Sequence, residues 1–273
     1  MYKTKEDVMN RVLEHHHWAM DGGYEVVGTF LQGSWNYGDG LADEESDVDT
    51  KCLVLPTFED FCLGRKMVST THVLDNDEHV DVKDLRLYME CFKKQNVNFV
   101  EILFTDYFVL NPKYEEIFQK MFDYRETIGR YDMRAALNCI CGMAYEKEKA
   151  LCHPYPATLD KIEKYGFDGK QLSHIMRLSD FMDKYLKGLP YKECLRSDRP
   201  QVLLDVKRNK GISLEEAKIL ASSLSNQLKE IKDNWLKEVS TIKLTKAEEV
   251  MNKVVIECMK TNFKSYLEGQ NAE

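Results

Sequence analysis

The chain has 273 residues, 43% hydrophobic and 31% charged, with 14 Gly and 6 Pro; this excludes a disordered chain and suffices for one large or two modest domains without a disulfide or metal staple. The formal net charge of −8, from 38 Lys+Arg against 46 Asp+Glu, argues against a protein that coats duplex nucleic acid. No stretch approaches the roughly twenty apolar residues that span a bilayer, and Met1 to Asp7 hold no apolar signal core, so the expected location is the cytoplasm.

The first element is a helix over about 4–20, with Thr4 as N-cap, Asp7 three residues on, Val8, Val12 and Leu13 on one side and Gly22-Gly23 as the stop. Tyr24 to Leu31, rich in β-branched and aromatic residues, predicts a strand. After a polar, glycine-bearing loop from Gln32 to Ser46, the apolar run Val48 to Leu55 predicts a second strand, ended by Pro56. A third short strand is expected around His79 to Val82, then a helix over Leu85 to Lys94 and another apolar segment over Phe99 to Phe104. From Asn111 onward strand signals vanish and helical periodicity takes over, placing a boundary near 105–115. Capping boxes at Ser213-x-x-Glu216 and Thr245-x-x-Glu248 open the last two helices, which are expected to form an antiparallel hairpin. The eight cysteines include no C-x-x-C pair and read as reduced, buried thiols.

The informative stretch is Gly33-Ser34-Trp35-Asn36-Tyr37-Gly38 followed by Ser46-Asp47-Val48-Asp49. Gly-Ser at a strand end offers a tight turn, exposed backbone N–H groups and a hydroxyl, which suits a phosphate. Asp47 and Asp49 are two apart at a strand start, so both carboxylates share a face while Val48 points into the core. Such a pair suits a hard divalent cation that bridges carboxylates to substrate phosphates, Mg²⁺ or Mn²⁺; its bland alternative is a solvated acidic loop, since Asp43, Glu44 and Glu45 lie just before it. An EF-hand is excluded because Cys52 stands where that loop needs glycine.

G-S followed a short loop later by D-x-D, between two strands and behind an N-terminal helix, resembles the nucleotidyltransferase superfamily typified by DNA polymerase β. The resemblance implies that Gly33 and Ser34 grip the triphosphate of an incoming NTP such as ATP and that Asp47 and Asp49 hold metal with a third carboxylate from a later strand. Asp81 is placed there because Val80 and Val82 alternate with it; Asp75, Asp77 and Asp84 are further candidates. G-S-x-x-Y-G, S-D-x-D, the segment Asn98 to Phe104 and the helical signature Phe167-Asp168-Gly169-Lys170-Gln171-Leu172-Ser173-His174-Ile175-Met176-Arg177-Leu178 look like the RNA-ligase-associated group of predicted nucleotidyltransferases, over about 24–220. Phe167 departs from that group's usual Tyr, and the loop after Gly38 carries an extra Asp39-Gly40.

Lys170, His174 and Arg177, at i, i+4 and i+7, share one helix face. A stripe of that kind is usually only solvated; the resemblance implies that it supplies positive charge to phosphates or acceptor, with Arg196, Lys207 and Arg208 as lesser additions. His15, His16 and His17 are consecutive and diverge on a helix, so they do not converge on a metal, and Cys139-x-Cys141 diverges similarly. Trp35 and Tyr37 suit either base stacking or packing beside the strand end.

The fold expected is α+β: a small mixed β-sheet nucleotidyltransferase domain with flanking helices over 1–110, then an all-α helical domain over 111–273 that closes a cleft. The function expected is metal-dependent transfer of an NMP from an NTP to an acceptor hydroxyl (an RNA end, a protein or a small molecule), with release of pyrophosphate. Asp47 and Asp49 are its metal ligands, with Asp81 as the third ligand or as the general base for the acceptor hydroxyl. The alternative is a catalytically silent nucleotide-binding or partner-binding module of the same fold.

Overall fold

Thr4 and Asp7 close a reciprocal cap at the start of α1 (Lys5–Asp21): the Thr4 hydroxyl oxygen accepts the Asp7 N–H at 3.1 Å and the Asp7 carboxylate accepts the Thr4 N–H at 2.6 Å. The computed structural model describes residues 4–38, 40–42, 46–238 and 243–270. The helix buries Val8, Val12, His15, His16 and Ala19, one stripe of a 3.6-residue period, and leaves Leu13 exposed. Leu13 therefore departs from the expected core face, because a residue next to Val12 is turned about 100° away from it. Gly23 ends the helix at φ +82, where a side chain would be strained.

Five strands form one mixed sheet in the order β3-β4-β2-β1-β5. β1 (Glu25–Gln32) and β2 (Asp49–Leu55) pair antiparallel, with a bulge between Val26 and Gly28. The chain leaves β2, forms the short α2 (Phe58–Cys62) and the edge strand β3 (Ser69–Val73), and returns as β4 (His79–Asp84), parallel to β2. Asp84 caps α3 (Leu85–Lys93) by accepting the Arg86 N–H at 2.9 Å. The apolar segment expected over Phe99 to Phe104 is helical, α4 (Val97–Val100) followed by a 3₁₀ turn (Glu101–Leu103), with Asn96 as its cap. β5 (Phe108–Leu110), α5 (Glu115–Asp123) and α6 (Arg125–Gly129) come next.

α1 covers one face of the sheet. Ala19 packs with Val26, Cys52, Val54, Val80 and Val82, and Val8 and Val12 pack with Leu31 and Val48. Phe30, adjacent to Leu31 and so on the other face, meets Phe118 of α5 with ring centroids 5.3 Å apart. The alternation thus puts Val48, Thr50 and Cys52 toward α1, and Asp49 and Lys51 on the opposite face.

The chain divides into two compact units, each described by itself. The sheet unit comprises Met1–Asn36, Asp43–Tyr131 and Lys243–Glu273; the helical unit comprises Tyr37–Ala42 and Asp132–Ile242. The second holds α7 (Met133–Ala150), α8 (Leu159–Tyr165), α9 (Gly169–Leu186), α10 (Tyr191–Leu195), α11 (Pro200–Lys207) and α12 (Leu214–Glu238). α9 is its centre and packs on α7, α10, α11 and α12. Gly169 is required there: a Cβ would stand 1.9 Å from the Val206 carbonyl oxygen of α11.

Two expectations change. Residues 111–131 belong with the sheet, and so does α13 (Thr245–Gln270), which packs on α3, α5 and α6 through a stripe including Ala247, Met251, Val254 and Cys258. The expected hairpin of the last two helices falls across the division between the units: α12 packs on α7 and α9 of the helical unit, and α13 belongs to the sheet unit. A capping box marks where a helix starts and says nothing of its partner. All eight cysteines are free, but only Cys52, Cys194 and Cys258 are buried. Burial pushes the Cys52 and Cys258 thiols up to about 12, so both are inert at neutral pH. No helix among the described residues is long and apolar enough to cross a membrane.

Candidate active site

β1 ends at Gln32, which pairs with Asp49 at the start of β2. This register sets the Gly33-Ser34 turn beside the D-x-D segment at one end of the sheet. Gly33 takes φ +90, which a side chain would resist, and Ser34–Asn36 form a 3₁₀ turn closed by the Asn36 N–H to the Gly33 carbonyl at 2.9 Å. The Asn36 amide also donates to the Leu31 carbonyl at 3.0 Å. Glu101, fully buried in the turn after α4, accepts the Gly33 N–H at 2.9 Å. A residue 68 positions away thus fixes the backbone of the Gly-Ser turn, and the signal for it was an acid inside the apolar run Phe99 to Phe104.

In the D-x-D segment Ser46 and Val48 are buried, Asp47 is exposed and Asp49 is half-buried. The Asp49 carboxylate accepts the His79 N–H at 2.9 Å and lies 3.1 Å from His79 Nδ1. Val48, between the two carboxylates, donates its N–H to Glu78 at 3.4 Å. Glu78 is itself held by Arg11 Nε at 2.9 Å and Nη2 at 2.6 Å, and by His15 Nε2 at 3.1 Å. Burial would raise this carboxyl, but the bonds from Arg11 and Asn76 outweigh it and hold Glu78 below the usual carboxylate range. His15 Nδ1 lies 3.0 Å from the Thr50 hydroxyl, and burial keeps this imidazole below its ordinary value, hence neutral. His16 bonds Thr29 and His17 is exposed, so the three histidines diverge.

Asp81 behaves differently from the expectation. Its position on β4 is opposite Lys51, and the Lys51 ammonium holds its carboxylate at 2.9 Å while lying 4.2 Å over the Phe99 ring. Lys51 is 5% exposed, so this is a buried ion pair. Asp49 is two residues back along β2, about 6.6 Å of strand rise. Among the described residues no three His, Cys, Asp or Glu side chains come together as a metal-holding group. Asp47, Asp49 and Asp81 form no such group among the described residues, and Asp81 is paired with Lys51. Asp84, another candidate, is buried and bound by Arg86; Asp75 and Asp77 lie in the turn between β3 and β4. The donor chemistry of Asp47 and Asp49 still fits Mg²⁺, which is commonly held by one or two carboxylates together with phosphate oxygens. Lys51 was legible only as a charge in the middle of an apolar strand.

The aromatic residues of the motif separate. Trp35 packs against Val8, Val12, Leu31 and Val48 in the sheet unit. Tyr37, buried in the helical unit, lies under the Arg177 guanidinium at 3.9 Å, and its carbonyl accepts the Ser197 N–H. Within the helical unit the signature of residues 167–178 resolves into structural and chemical parts. Asp168, 1% exposed, caps α9 by accepting the Lys170 N–H at 3.1 Å and a bond from the Gln171 amide at 2.9 Å. Phe167 is buried, and its carbonyl accepts from Asn209. Lys170 is exposed, His174 half-buried, and Arg177 buried. The stripe is therefore not simply solvated. Burial, then the charges of Arg177, Lys147, Lys170 and Lys207, drives His174 well below its ordinary value. Arg196 and Arg208 are exposed, and Arg196 lines the approach to Gly38, whose absent Cβ would meet it at 3.4 Å.

A scan of the chain against protein-family models finds no match, and neither does a search of the curated proteins.

Proposed function

We propose that the chain is a metal-dependent nucleotidyltransferase that moves an NMP from an NTP to an acceptor hydroxyl and releases pyrophosphate. The observation that carries this reading is the pairing of Gln32 with Asp49, which brings the Gly33-Ser34 turn and two carboxylates to the same sheet end. The motif resemblance supports it. Asp47 and Asp49 would hold Mg²⁺ or Mn²⁺, which when bound offsets phosphate charge and favours in-line displacement at phosphorus. Ser34 would bind the phosphate chain through its backbone N–H and hydroxyl, presented by the turn at Gly33, whose own N–H is held by Glu101. Glu101 would keep that turn in place, and Glu78 would keep Val48 between the two carboxylates. Asp81, once released by Lys51, would accept the proton of the acceptor hydroxyl.

The test is incubation with each α-labelled NTP, Mg²⁺ or Mn²⁺ and candidate acceptors, comparing wild type with the Asp47→Asn, Asp49→Asn double variant. Transfer is expected to fall at least about a hundredfold in the variant. Label appearing equally with both proteins, or with neither, removes the reading.

The catalytically silent module is the second reading, favoured by one specific observation: Asp81 is neutralised within the protein by Lys51. Under it, nucleotide raises the melting temperature of the wild type without any label transfer.

A further inference from the structure

We propose that the edge strand β3 pairs antiparallel with β3 of a second copy of this chain, about a two-fold axis at Thr71, so that two sheets join into one. The inference stands on the sheet unit alone and does not rest on the transfer chemistry.

The starting observation is the direction of the backbone groups of β3. Its ladder with β4 runs in unbroken register from Ser69 opposite Lys83 to Val73 opposite His79. Just beyond each end, a bond shows which positions face β4: the Asp84 N–H donates to the Val68 carbonyl and the Leu74 N–H to the Glu78 carbonyl, both at 2.9 Å. Bonded positions alternate along an antiparallel ladder. Val68, Thr70, His72 and Leu74 therefore bond toward β4, and the N–H and C=O groups of Ser69, Thr71 and Val73 point outward. β3 is the last strand in the sheet order, and the side chains of these outward residues are exposed, Val73 at 62%. Natural edges are commonly blunted by a charge, a proline, a bulge or shortness. Ser69-Thr70-Thr71-His72-Val73 has an ordinary strand length, an unbroken register and no Asp, Glu, Lys, Arg or Pro. The opposite edge, β5, is only three residues long.

The ends of the strand choose the occupant. Arg65 and Lys66, both exposed, precede β3, and Lys83 flanks the same end with its ammonium on Ser69 Oγ at 2.7 Å; Asp60 binds Arg65 at 2.8 Å. Asp75 and Asp77, both exposed, follow β3 in the turn to β4, where the adjoining Glu78 is buried and held by Arg11. One end thus carries Lys66 and Lys83, the other Asp75 and Asp77. A parallel copy would bring like charges together, whereas an antiparallel copy sets the acidic turn of each chain against the basic end of the other. Exposed charges of this kind add little affinity but fix orientation. The strand is also self-complementary about Thr71. Thr71 meets Thr71 as a hydrogen-bonded pair and Ser69 meets Val73, so the outward N–H and C=O groups of all of them find partners in one isologous contact. An extended peptide without this order of charges would satisfy the backbone and not the ends, and for that reason the second copy is the occupant.

The experiment is sedimentation velocity of the full chain from about 1 to about 300 μM, with amide hydrogen exchange at both limits. The wild type is expected to pass from monomer to dimer over this range, since one strand pair is a small interface. In the dimer the Ser69, Thr71 and Val73 N–H groups should exchange at least about tenfold more slowly, and those of Thr70 and His72, already bonded to β4, should not change. Thr71→Pro removes an outward N–H and no bond to β4, so it should abolish the dimer. Val73→Lys, which sets a charge beside Lys83 of the other copy, should do the same and decides the matter if the proline variant fails to fold. Lys66→Glu and Asp75→Lys should each weaken the dimer about fivefold, and their equimolar mixture should dimerise as tightly as the wild type. A chain still monomeric at about 300 μM, a dimer undiminished in Val73→Lys, or a mixture no tighter than its components overturns the proposal. So does slow exchange at Ser69, Thr71 and Val73 in a chain that stays monomeric, since that assigns the edge to another segment.

Discussion

The two units handle buried cations differently. Among the described residues of the sheet unit, Lys51 is matched by Asp81, and the half-buried Arg11 and Arg86 by Glu78 and Asp84. In the helical unit Arg177 is buried with its terminal nitrogens unmatched, beside a histidine with an unmatched Nδ1. A matched pair holds a backbone in place: Glu78 fixes Val48 and Glu101 fixes Gly33, both next to candidate site residues. An unmatched buried cation holds nothing in place and costs stability. The first pattern is that of a scaffold under a site, the second that of a charge carried at the expense of the fold.

The contrast is broken most forcefully by exchanging one partner in each unit. Lys51→Met leaves the Asp81 carboxylate, 14% exposed, without its cation. It is expected to lower stability by about 3 kcal/mol, measured by urea unfolding, and Asp81→Leu added to it should recover most of the loss. Arg177→Met, by contrast, removes a charge whose terminal nitrogens lack a partner and should leave the protein as stable as the wild type or more so. A large loss in Arg177→Met alone would show that the Tyr37 contact compensates the guanidinium and would erase the difference between the units.

A smaller effect is expected at Glu101. Glu101→Ala withdraws the acceptor of the Gly33 N–H and should cost about 2 kcal/mol, while Glu101→Gln, which keeps an acceptor, should cost less than half of that. If the turn is part of a nucleotide site, Glu101→Gln is expected to raise the KM for NTP more than it lowers kcat, a split that a purely structural role would not produce.

Much of this organisation was legible in the residues because it rests on local rules. The Thr4 cap, the strands with β-branched runs and the separation of Asp47 and Asp49 from Val48 all follow from periods of 3.6 and 2. β3 was invisible because its residues, Ser69-Thr70-Thr71-His72-Val73, form an exposed edge with no apolar face to alternate. β5 is three residues long, too short for a period. The candidate site was legible where side chains are adjacent in sequence and not where they meet across it. The Lys51–Asp81 pair depends on the parallel register of β2 and β4, and the Glu101 contact bridges 68 positions. Likewise, spacing placed Lys170, His174 and Arg177 on one face, but only the packing of α7 and α11 on α9 adds Lys147 and Lys207.

The smallest effect is a pH dependence, and it bears directly on the unmatched cluster. His174 is kept neutral first by burial and then by Arg177, Lys147, Lys170 and Lys207, so its folded value lies below that of the unfolded chain, about 6.5. Above that pH both states carry the same proton count at this site. Below it the unfolded chain takes up a proton that the folded chain refuses, and stability is lost as the pH falls. The slope is at most about 1.4 kcal/mol per pH unit. His15 and His16 are also depressed by burial and contribute in the same direction, so the measurement is the difference between wild type and His174→Gln in thermal melts from pH 7.5 to 5. The variant should show the shallower acid loss. A variant as acid-sensitive as the wild type would show that the folded chain accepts a proton at His174, against the neutral state that burial and these cations impose.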